Sequence, residues 1–384
     1  MSIADLETQA QAGDPRAQVQ WALRLGEEGR HYEALDWLAR AAGAHHTEAL
    51  ARLGLKLLLA ENAPYRPADG LAMLVEAAAG GDGCSAATLA VLAAGGFHAP
   101  QNWMVGLDYL QRAAELGWGP ARDQLVLLSA DREAAAAAED RRPGGEVWSR
   151  LRLGVELKSW LAPPPIRTLS DSPRVIVAEG LAPPEVCDWI VSHCAGRLVR
   201  AEVDDPRTGL PVMGQTRTNR VASFGLAETS LLNVVIQSRI GACIGAPLSV
   251  MEAFAVLNYR PGEEASDHFD YLDPTIPAYA EEIARVGQRV ATALLYLNED
   301  YEGGETDFPE LGLRHRGRKG DALIFISVDR SGAPDPRTRH AGRPPTSGEK
   351  WVLSQFVRNR PLAPGVGQWV RMQRTLVTRS NWQK

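Results

Sequence analysis

The stretch HFDYLD, residues 268–273, places a histidine and an aspartate two positions apart with a phenylalanine between them. Alternate side chains of a β-strand point to the same face, so His268 and Asp270 would face one side and Phe269 the other. A histidine and a carboxylate on one face form half of a metal site, but an ordinary surface strand can show the same pattern. The rest of the chain must decide between these two interpretations.

The segments around this stretch predict a domain built mainly of β-strands. From about residue 173, short runs rich in Val, Leu, Ile and aromatic residues recur, bounded by Gly, Pro or Asp. These runs are PRVIVAEG, LSVMEAFAVLNYR, RVATALLYLN, DALIFISV and KWVLSQFV. One helix, over residues 184–195, interrupts them. The pattern favours a double sheet of the jelly-roll type, that is, a double-stranded β-helix.

A second histidine and a lysine complete a chemical pattern in this domain. His340 lies in the polar, Pro-rich segment DPRTRHAGRPP, and Lys350 follows ten residues later at the start of a predicted strand. Two histidines and one carboxylate form a facial triad, which holds one side of an Fe(II) octahedron and leaves three positions open. A chelating dicarboxylate bound there would carry its second carboxylate into the pocket, where the lysine cation would neutralise it.

The first 130 residues are rich in alanine and contain a repeat. The segments WLARAAGAHHTEALARLG, MLVEAAAGGDGCSAATLA and YLQRAAELGWGPARDQLV begin at residues 37, 73 and 109, which gives a period of 36. Each contains an apolar helix, a glycine stop and a second helix with small residues at close-packing positions. This period predicts a stacked array of helical hairpins, and a generic helical bundle is the alternative.

Length, charge and cysteine usage exclude several classes of protein. A chain of 384 residues predicts more than one domain, and its net charge of -6 argues against general nucleic-acid affinity. The N-terminus MSIADLETQAQ lacks the pattern of a signal peptide, and no apolar run is long enough to span a membrane. Four cysteines without a CxxC motif predict neither a zinc site nor a disulfide framework. We therefore expect a cytoplasmic protein with no nucleic-acid or membrane partner.

Six motifs in the β domain resemble, in order, the prolyl 4-hydroxylase branch of the 2-oxoglutarate- and Fe(II)-dependent dioxygenases. They are PRVIVAEGLAPPEVCDWIV, QTRTNRVASF, LNYRPGEEASDHFDYLD, GQRVATALLYLNEDYEGGETDFP, RKGDALIF and DPRTRHAGRPPTSGEKWVLSQFVR. The spacing of ten between His340 and Lys350 also matches that family. Roughly residues 8–130 are similar to Sel1-like repeats, which are related to the tetratricopeptide repeat.

The resemblance implies a role for each matching residue. The implied catalytic metal ligands for Fe(II) are His268, Asp270 and His340. The implied partners of the distal carboxylate of 2-oxoglutarate are Lys350, Thr306 and Tyr259. The implied substrate contacts are Arg217, Asn219 and Arg289. The chain departs from the family at Ala265, where relatives usually have a tyrosine that helps to hold 2-oxoglutarate, and at the acidic Asp267 before the first histidine.

These features divide the chain into four predicted segments. Residues 1–131 form the helical repeats, and residues 132–172, which include REAAAAAEDRRPGGE, form a linker and connecting helix. Residues 173–361 form the dioxygenase domain, and residues 362–384 form a basic C-terminal tail.

The resemblance implies an enzyme that hydroxylates an unactivated C–H bond, with a prolyl residue of a peptide or protein as the expected substrate. Fe(II) and 2-oxoglutarate are the expected cofactor and co-substrate, and ascorbate is an optional further ligand. Three alternatives stay open: the same chemistry on a free amino acid or natural-product intermediate, a repeat-based adaptor with an inactive oxygenase domain, and a zinc hydrolase that would not need Lys350. The sequence does not fix the substrate or the oligomeric state.

Overall fold

Helices form the first part of the chain in the computed structural model, which describes residues 2–138, 144–204, 211–212 and 217–362. They are α1 (Ile3–Gln11), α2 (Pro15–Glu27), α3 (His31–Gly43), α4 (Thr47–Leu59), α5 (Pro67–Ala79), α6 (Gly83–Gly95), α7 (Trp103–Glu115), α8 (Gly119–Leu128), α9 (Arg132–Ala138), α10 (Gly145–Leu153) and α11 (Leu157–Leu161). Helices α3, α5 and α7 begin at residues 31, 67 and 103, and α4, α6 and α8 begin at residues 47, 83 and 119. Both series have the spacing of 36 that the sequence predicts, which confirms the repeat array.

Equivalent positions of successive repeats are buried in the same way. Leu38, Leu74 and Leu110 are 2%, 0% and 1% exposed, because each lies on the apolar face of the first helix of its hairpin. The small residues allow close contact between neighbouring hairpins. A Cβ atom on Gly54 of α4 would lie 2.9 Å from the carbonyl oxygen of Gly70 in α5, so a larger residue would force the two helices apart.

The chain forms two compact units. Among the described residues, the first comprises the chain up to Glu156 together with Leu226–Val234, and the second comprises Leu157–Gly225 and the residues from Val235 to Leu362. The first unit is built on the repeat helices. The second contains the helices α12 (Pro184–Cys194), α14 (Pro277–Val286) and most of α13 (Leu231–Ile244), together with the strands.

The strands of the second unit follow one another along the chain with few helices between them. They are β1 (Ile166–Asp171), β2 (Arg174–Ala178), β3 (Val199–Arg200), β4 (Val203–Asp204), β5 (Pro211–Val212), β6 (Arg220–Ser223), β7 (Ala255–Tyr259), β8 (Ala265–His268), β9 (Arg289–Tyr296), β10 (Glu302–Gly303), β11 (Thr306–Phe308), β12 (Leu313–His315), β13 (Ala322–Ile326), β14 (His340–Gly342), β15 (Pro345–Ser347) and β16 (Lys350–Arg358).

Two antiparallel sheets dominate this unit. The larger sheet has the order β1-β2-β13-β9-β16-β7-β6-β3, and the smaller sheet has the order β12-β11-β14-β8. Two further strand pairs are β10-β15 and β4-β5. Phe308 of the smaller sheet packs in one apolar cluster with Tyr296, Phe325 and Val352 of the larger sheet, so the core lies between the two sheets. This arrangement confirms the predicted double sheet after a helical repeat array.

The predicted linker over residues 132–172 is too long. Helix α10 packs on α7 and α8, and its Trp148 and Leu151 are 2% and 0% exposed, so it belongs to the first unit. Strand β1 pairs with β2 at the edge of the larger sheet. The sequence hid this strand because its residues are mostly exposed and lack an alternating apolar pattern.

Two further expectations concern the whole chain. Among the described residues, no helix has both the length and the apolar character that crossing a lipid bilayer would require. The predicted C-terminal tail, residues 362–384, lies outside the described residues except for Leu362.

Candidate active site

Two adjacent strands of the smaller sheet bring the predicted metal ligands together. Strands β8 and β14 are antiparallel neighbours, and His268 lies directly opposite His340 in their register. Asp270 follows two residues after the end of β8. Its carboxylate oxygens lie 3.5 Å from the Nε2 atom of His268 and 3.4 Å from the Nε2 atom of His340. One ligand atom of each residue therefore lies within 4.8 Å of the others, as a metal site requires.

Backbone carbonyl groups orient both imidazole rings. The Nδ1 atom of His268 lies 2.7 Å from the carbonyl oxygen of Ser266, and that of His340 lies 3.0 Å from the carbonyl oxygen of Thr338. Since a carbonyl oxygen only accepts, each Nδ1 carries the proton and donates it in these bonds. Both Nε2 atoms lie on the side of Asp270, and in the neutral tautomer with the proton on Nδ1 it is Nε2 that binds a metal.

The electrostatics of the triad also suit a metal. Burial lowers the pKa of His340 to about 4, so this imidazole is neutral near pH 7. Burial acts to raise the pKa of Asp270, but the two imidazoles and a 2.7 Å hydrogen bond from the Thr292 hydroxyl more than offset it and hold that pKa below its usual value. Metal ligands must be deprotonated, and these two residues already are at neutral pH.

Aromatic rings fix the position of His340. Its ring stacks on Phe308 with 5.3 Å between centroids and meets the edge of Phe325 at 4.8 Å. Both phenylalanines are fully buried in the core between the sheets. This ligand is therefore held by rigid packing, whereas the side chain of His268 is 35% exposed and faces the open side of the site.

A pocket extends from the triad along the larger sheet. Lys350, Val352, Ser354 and Phe356 alternate along β16 and all line it, since side chains two positions apart share a face. Its polar lining residues are Arg217, Tyr259, His268, Asp270, Thr306, His340, Lys350 and Ser354. The structure thus gathers the metal triad and all three residues predicted to bind 2-oxoglutarate around one cavity.

Lys350 is a buried cation without a carboxylate partner. It is 2% exposed, and its Nζ donates a 2.7 Å hydrogen bond to the carbonyl oxygen of Gly304. Among the described residues, no carboxylate lies within ion-pair distance of it. Burial lowers the pKa of Lys350 to about 8, and the more distant Glu305 opposes that shift. An anion that enters the pocket would meet a charge that the fold leaves without compensation.

Two tyrosine rings lie beside the lysine, and the hydroxyl of one of them pairs with a threonine hydroxyl. The Tyr296 hydroxyl and the Thr306 Oγ1 lie 3.0 Å apart, and both side chains are buried. The Lys350 Nζ lies 5.3 Å from the ring centre of Tyr259 and 5.6 Å from that of Tyr296. Sequence reasoning missed Tyr296, although its place in the run RVATALLYLN marks it as part of a buried strand.

The residues predicted to contact the substrate lie in different places in the structure. Arg217 lines the pocket. Asn219 is fully buried, donates to the carbonyl oxygen of Arg220 at 3.0 Å and is not among the lining residues. The prediction for Arg289 is wrong: its guanidinium is 7% exposed and binds both oxygens of Glu252 at 2.8 and 3.0 Å. Its position at the start of β9 points it into an internal ion pair instead of the pocket.

The 2OG-Fe(II) oxygenase superfamily matches residues 254–358. Prolyl 4-hydroxylase 1 of Arabidopsis thaliana is 34% identical over 206 residues, which are 50% of this chain and 71% of the relative.

Two solved structures are also similar in part. One is the viral collagen prolyl hydroxylase of Paramecium Bursaria Chlorella virus-1, with 24% identity, a TM-score of 0.37, and coverage of 48% of this chain and 95% of the viral one. The other is a Sel1 repeat protein from Oxalobacter formigenes, with 23% identity, a TM-score of 0.30, and coverage of 32% of this chain and 95% of that protein.

Proposed function

Because the chain belongs to the prolyl 4-hydroxylase family of 2-oxoglutarate- and Fe(II)-dependent oxygenases, we propose that it hydroxylates prolyl residues of a peptide or protein. Fe(II) and 2-oxoglutarate are the cofactor and co-substrate of this family. The observation that carries the proposal is the buried, uncompensated Lys350 cation in the same pocket as the His268, Asp270 and His340 ligand set. A metal hydrolase would have no use for that lysine.

The donor set fits Fe(II). Two imidazoles and one carboxylate suit this ion, and the three residues would hold it on one side and leave the other side open. When bound, Fe(II) supplies the site where dioxygen and 2-oxoglutarate react, with release of succinate and carbon dioxide and oxidation of a substrate C–H bond to an alcohol.

The chain's own residues bind and orient the co-substrate. Lys350 would neutralise the distal carboxylate of 2-oxoglutarate, while Thr306 and Tyr259 offer hydroxyl donors beside it. The apolar walls Leu257 and Val352 exclude water from this end of the pocket, which strengthens each charge interaction there. The metal ligands and the lysine line one pocket, so a molecule that chelates the metal would also meet the cation.

A prolyl residue in a peptide or protein is favoured by the named relatives and by the repeat array. Helical repeat arrays form extended surfaces that bind peptides. The Arabidopsis thaliana relative is a prolyl 4-hydroxylase, and the viral protein is a collagen prolyl hydroxylase. Ascorbate as an additional ligand and a cytoplasmic location stay predictions of the sequence.

Succinate release tests the proposal directly. The full chain, loaded with Fe(II), is supplied with 2-oxoglutarate, dioxygen and a library of proline-containing peptides, with free amino acids in a parallel set. We expect peptide-dependent succinate release and a mass gain of one oxygen atom on a prolyl residue. His340→Ala is the inactive control, and Arg260→Met is the matched control, since Arg260 is half-exposed and pairs with Glu349 outside the pocket. Release with amino acids alone would redirect the substrate class, and no 2-oxoglutarate binding would favour the adaptor interpretation.

A further inference from the structure

The pocket contains a second cation that the assignments above leave without a ligand. Its lining includes one lysine, Lys350, and one arginine, Arg217. Lys350 serves one carboxylate of 2-oxoglutarate, but the molecule has two. The second belongs to the keto-acid end, and one of its oxygens stays free for hydrogen bonds when the other binds a metal. That oxygen needs a donor in a site with little water.

A row of small residues makes room beside this arginine. Arg217 pairs with Ala265 in an isolated antiparallel bridge, and Ala265 pairs in turn with Gly342 in the register of β8 and β14. The side chains of Ala265 and Gly342 are a methyl group and a hydrogen atom. The long Arg217 side chain can therefore reach across them toward the middle of the pocket, where all three residues contribute to the lining.

Tyr259 marks the place that the arginine reaches. Burial raises the pKa of Tyr259, and both the charge of Arg217 and a hydrogen bond from it oppose that rise. A Cβ atom added at Gly342 would lie 3.5 Å from the Tyr259 hydroxyl, in van der Waals contact, so this hydroxyl lies directly beside the glycine. Arg217 lines the same pocket as the metal ligands His268, Asp270 and His340. Its buried Nε has no partner within the part of the chain that the structure describes.

Charges in the pocket favour an anion at this place. Fe(II), Lys350 and Arg217 together carry four positive charges, whereas Asp270 carries one negative charge. With a bound 2-oxoglutarate dianion the net charge is about one positive, so both cations can face the co-substrate without leaving an excess of negative charge. Arginine suits the task because its planar fork donates two parallel hydrogen bonds to one carboxylate.

We propose that Arg217, together with the Tyr259 hydroxyl, binds the metal-side carboxylate of 2-oxoglutarate, in the space that Ala265 and Gly342 keep open. The inference rests on the proposed function. It moves Arg217 from the substrate to the co-substrate, and it moves Tyr259 from the distal to the metal-side carboxylate. The inference also explains why Ala265 can stand where relatives usually have a tyrosine. The hydrogen-bond donor to the co-substrate is Arg217 on the neighbouring segment, instead of a side chain on β8. In this arrangement Lys350 and Arg217 bind opposite ends of one dicarboxylate.

A pair of ligands separates the two ends. 2-Oxoglutarate carries both carboxylates, whereas 2-oxopentanoate has the same five-carbon keto acid without the distal one. Each is titrated into the Fe(II)-loaded full chain without oxygen, and the charge-transfer absorbance gives its dissociation constant. We expect Arg217→Met to weaken both ligands by the same factor, roughly ten- to a hundredfold, because a hydrogen-bonded charge loses its partner. Lys350→Met should weaken 2-oxoglutarate alone.

Two further variants guard against trivial effects. Arg217→Lys keeps the charge but loses the fork, so its dissociation constants should lie between those of wild type and Arg217→Met. Arg260→Met removes a half-exposed arginine next to Tyr259 in the chain and should leave both ligands unchanged. Fe(II) affinity, measured by competition with a chelator, should stay the same in all of these variants.

Three results would overturn the inference. If Arg217→Met weakens only 2-oxoglutarate, the arginine serves the distal carboxylate. If it weakens neither ligand but raises the KM for a peptide, the arginine serves the substrate. In both cases wild type binds 2-oxoglutarate and the proposed function stands. If wild type binds neither ligand, the proposed function fails and this inference fails with it.

Discussion

Two groups of buried charges lie in the second unit, and they differ in what neutralises them. In one group, Arg289 and Arg358 both bind Glu252, with Nε to Oε1 distances of 2.8 and 2.6 Å, and Arg358 also binds Glu282 at 2.5 Å. Burial acts to lower the pKa of Arg289, but the carboxylates of Glu252, Glu282 and Asp270 together more than offset it and raise that pKa above its usual value. This paired cluster neutralises itself.

The second group faces the pocket and is not neutralised by the fold. Lys350 has a carbonyl oxygen as its hydrogen-bond acceptor, and its pKa falls to about 8 because burial is the dominant influence. Asp270 has two imidazoles and a hydroxyl as its neighbours, and among the described residues no lysine or arginine lies within ion-pair distance of it. A metal ion and a dicarboxylate would supply the missing charges.

The difference teaches that burial alone does not mark a functional charge. Burying an ion without a partner is costly, so a fold keeps such an ion only where a ligand will compensate it. Arg289 and Lys350 are both buried. Arg289 stabilises the structure through its ion pair, whereas Lys350 is available to a ligand. The comparison leads to tests in which function and stability respond to different substitutions.

The largest effect is expected at the metal ligands. His268→Ala, Asp270→Ala and His340→Ala should each abolish Fe(II)-dependent turnover, because three ligands hold the metal and the loss of one opens an uncontrolled position. The far-ultraviolet circular dichroism should stay close to that of wild type. Succinate release measures the loss, and near-normal release by any of the three variants would remove that residue from the ligand set.

The next effect concerns the distal carboxylate. Lys350→Met should weaken 2-oxoglutarate binding roughly a hundred- to a few-thousandfold, because it leaves a buried, unpaired charge on the co-substrate, at a cost of about 3–5 kcal/mol. Lys350→Arg should retain part of the affinity, since it keeps the charge on a larger, planar head. Anaerobic titration of the Fe(II) complex measures both.

Iron affinity is the control for this prediction. The lysine does not belong to the metal triad, so chelator competition should give the same Fe(II) affinity for wild type and Lys350→Met. An unchanged 2-oxoglutarate midpoint in Lys350→Met would mean that another cation serves the distal carboxylate.

A smaller effect is expected at Thr292, which positions the ligand Asp270 and is not itself a member of the metal triad. Thr292→Val removes the 2.7 Å hydrogen bond to the carboxylate and keeps the shape of the side chain. Loss of such a supporting bond typically lowers metal affinity about ten- to a hundredfold. Chelator competition for Fe(II) measures it, and Thr275→Val, on an exposed turn, is the matched control. Equal metal affinity in the two variants would show that packing alone holds Asp270.

The smallest effect is a pH dependence. The protonated form of Lys350 binds the dianion, and its pKa in the free protein is about 8. The dissociation constant of 2-oxoglutarate should be flat below that pH and rise by up to about tenfold per pH unit above it. Lys350→Met should lack this rise. Parallel curves for the two proteins would assign the pH dependence to another group.

The parts of the site that depend on spacing along the chain could be predicted. The histidine and aspartate of HFDYLD, together with the positions of His340 and Lys350, identified residues that lie on or beside β8, β14 and β16. The strand predicted through HFDYLD is wrong in its extent, because β8 ends at His268 and Asp270 lies two residues beyond it. The 36-residue period likewise fixed the repeat helices. These signals are local or lie on paired strands, so one sequence contains them.

The parts that depend on contacts between distant segments could not be predicted. Arg289 was misassigned because Glu252, which lies 37 residues earlier, has no sequence pattern that connects it to β9. Tyr296 and Thr292 look like ordinary residues of a buried strand, and only the fold places them next to Thr306 and Asp270.

The central claim is that the fold compensates one buried cation and leaves the other for a ligand. Urea unfolding of the metal-free full chain at pH 7, for wild type, Arg289→Met and Lys350→Met, tests it most directly. Arg289→Met should lower the free energy of unfolding by about 3–5 kcal/mol, because it breaks a buried ion pair. Lys350→Met should change it by less than about 1.5 kcal/mol, since only a hydrogen bond to a carbonyl oxygen is lost. If Lys350→Met costs as much as Arg289→Met, the lysine is a structural charge and the account is wrong.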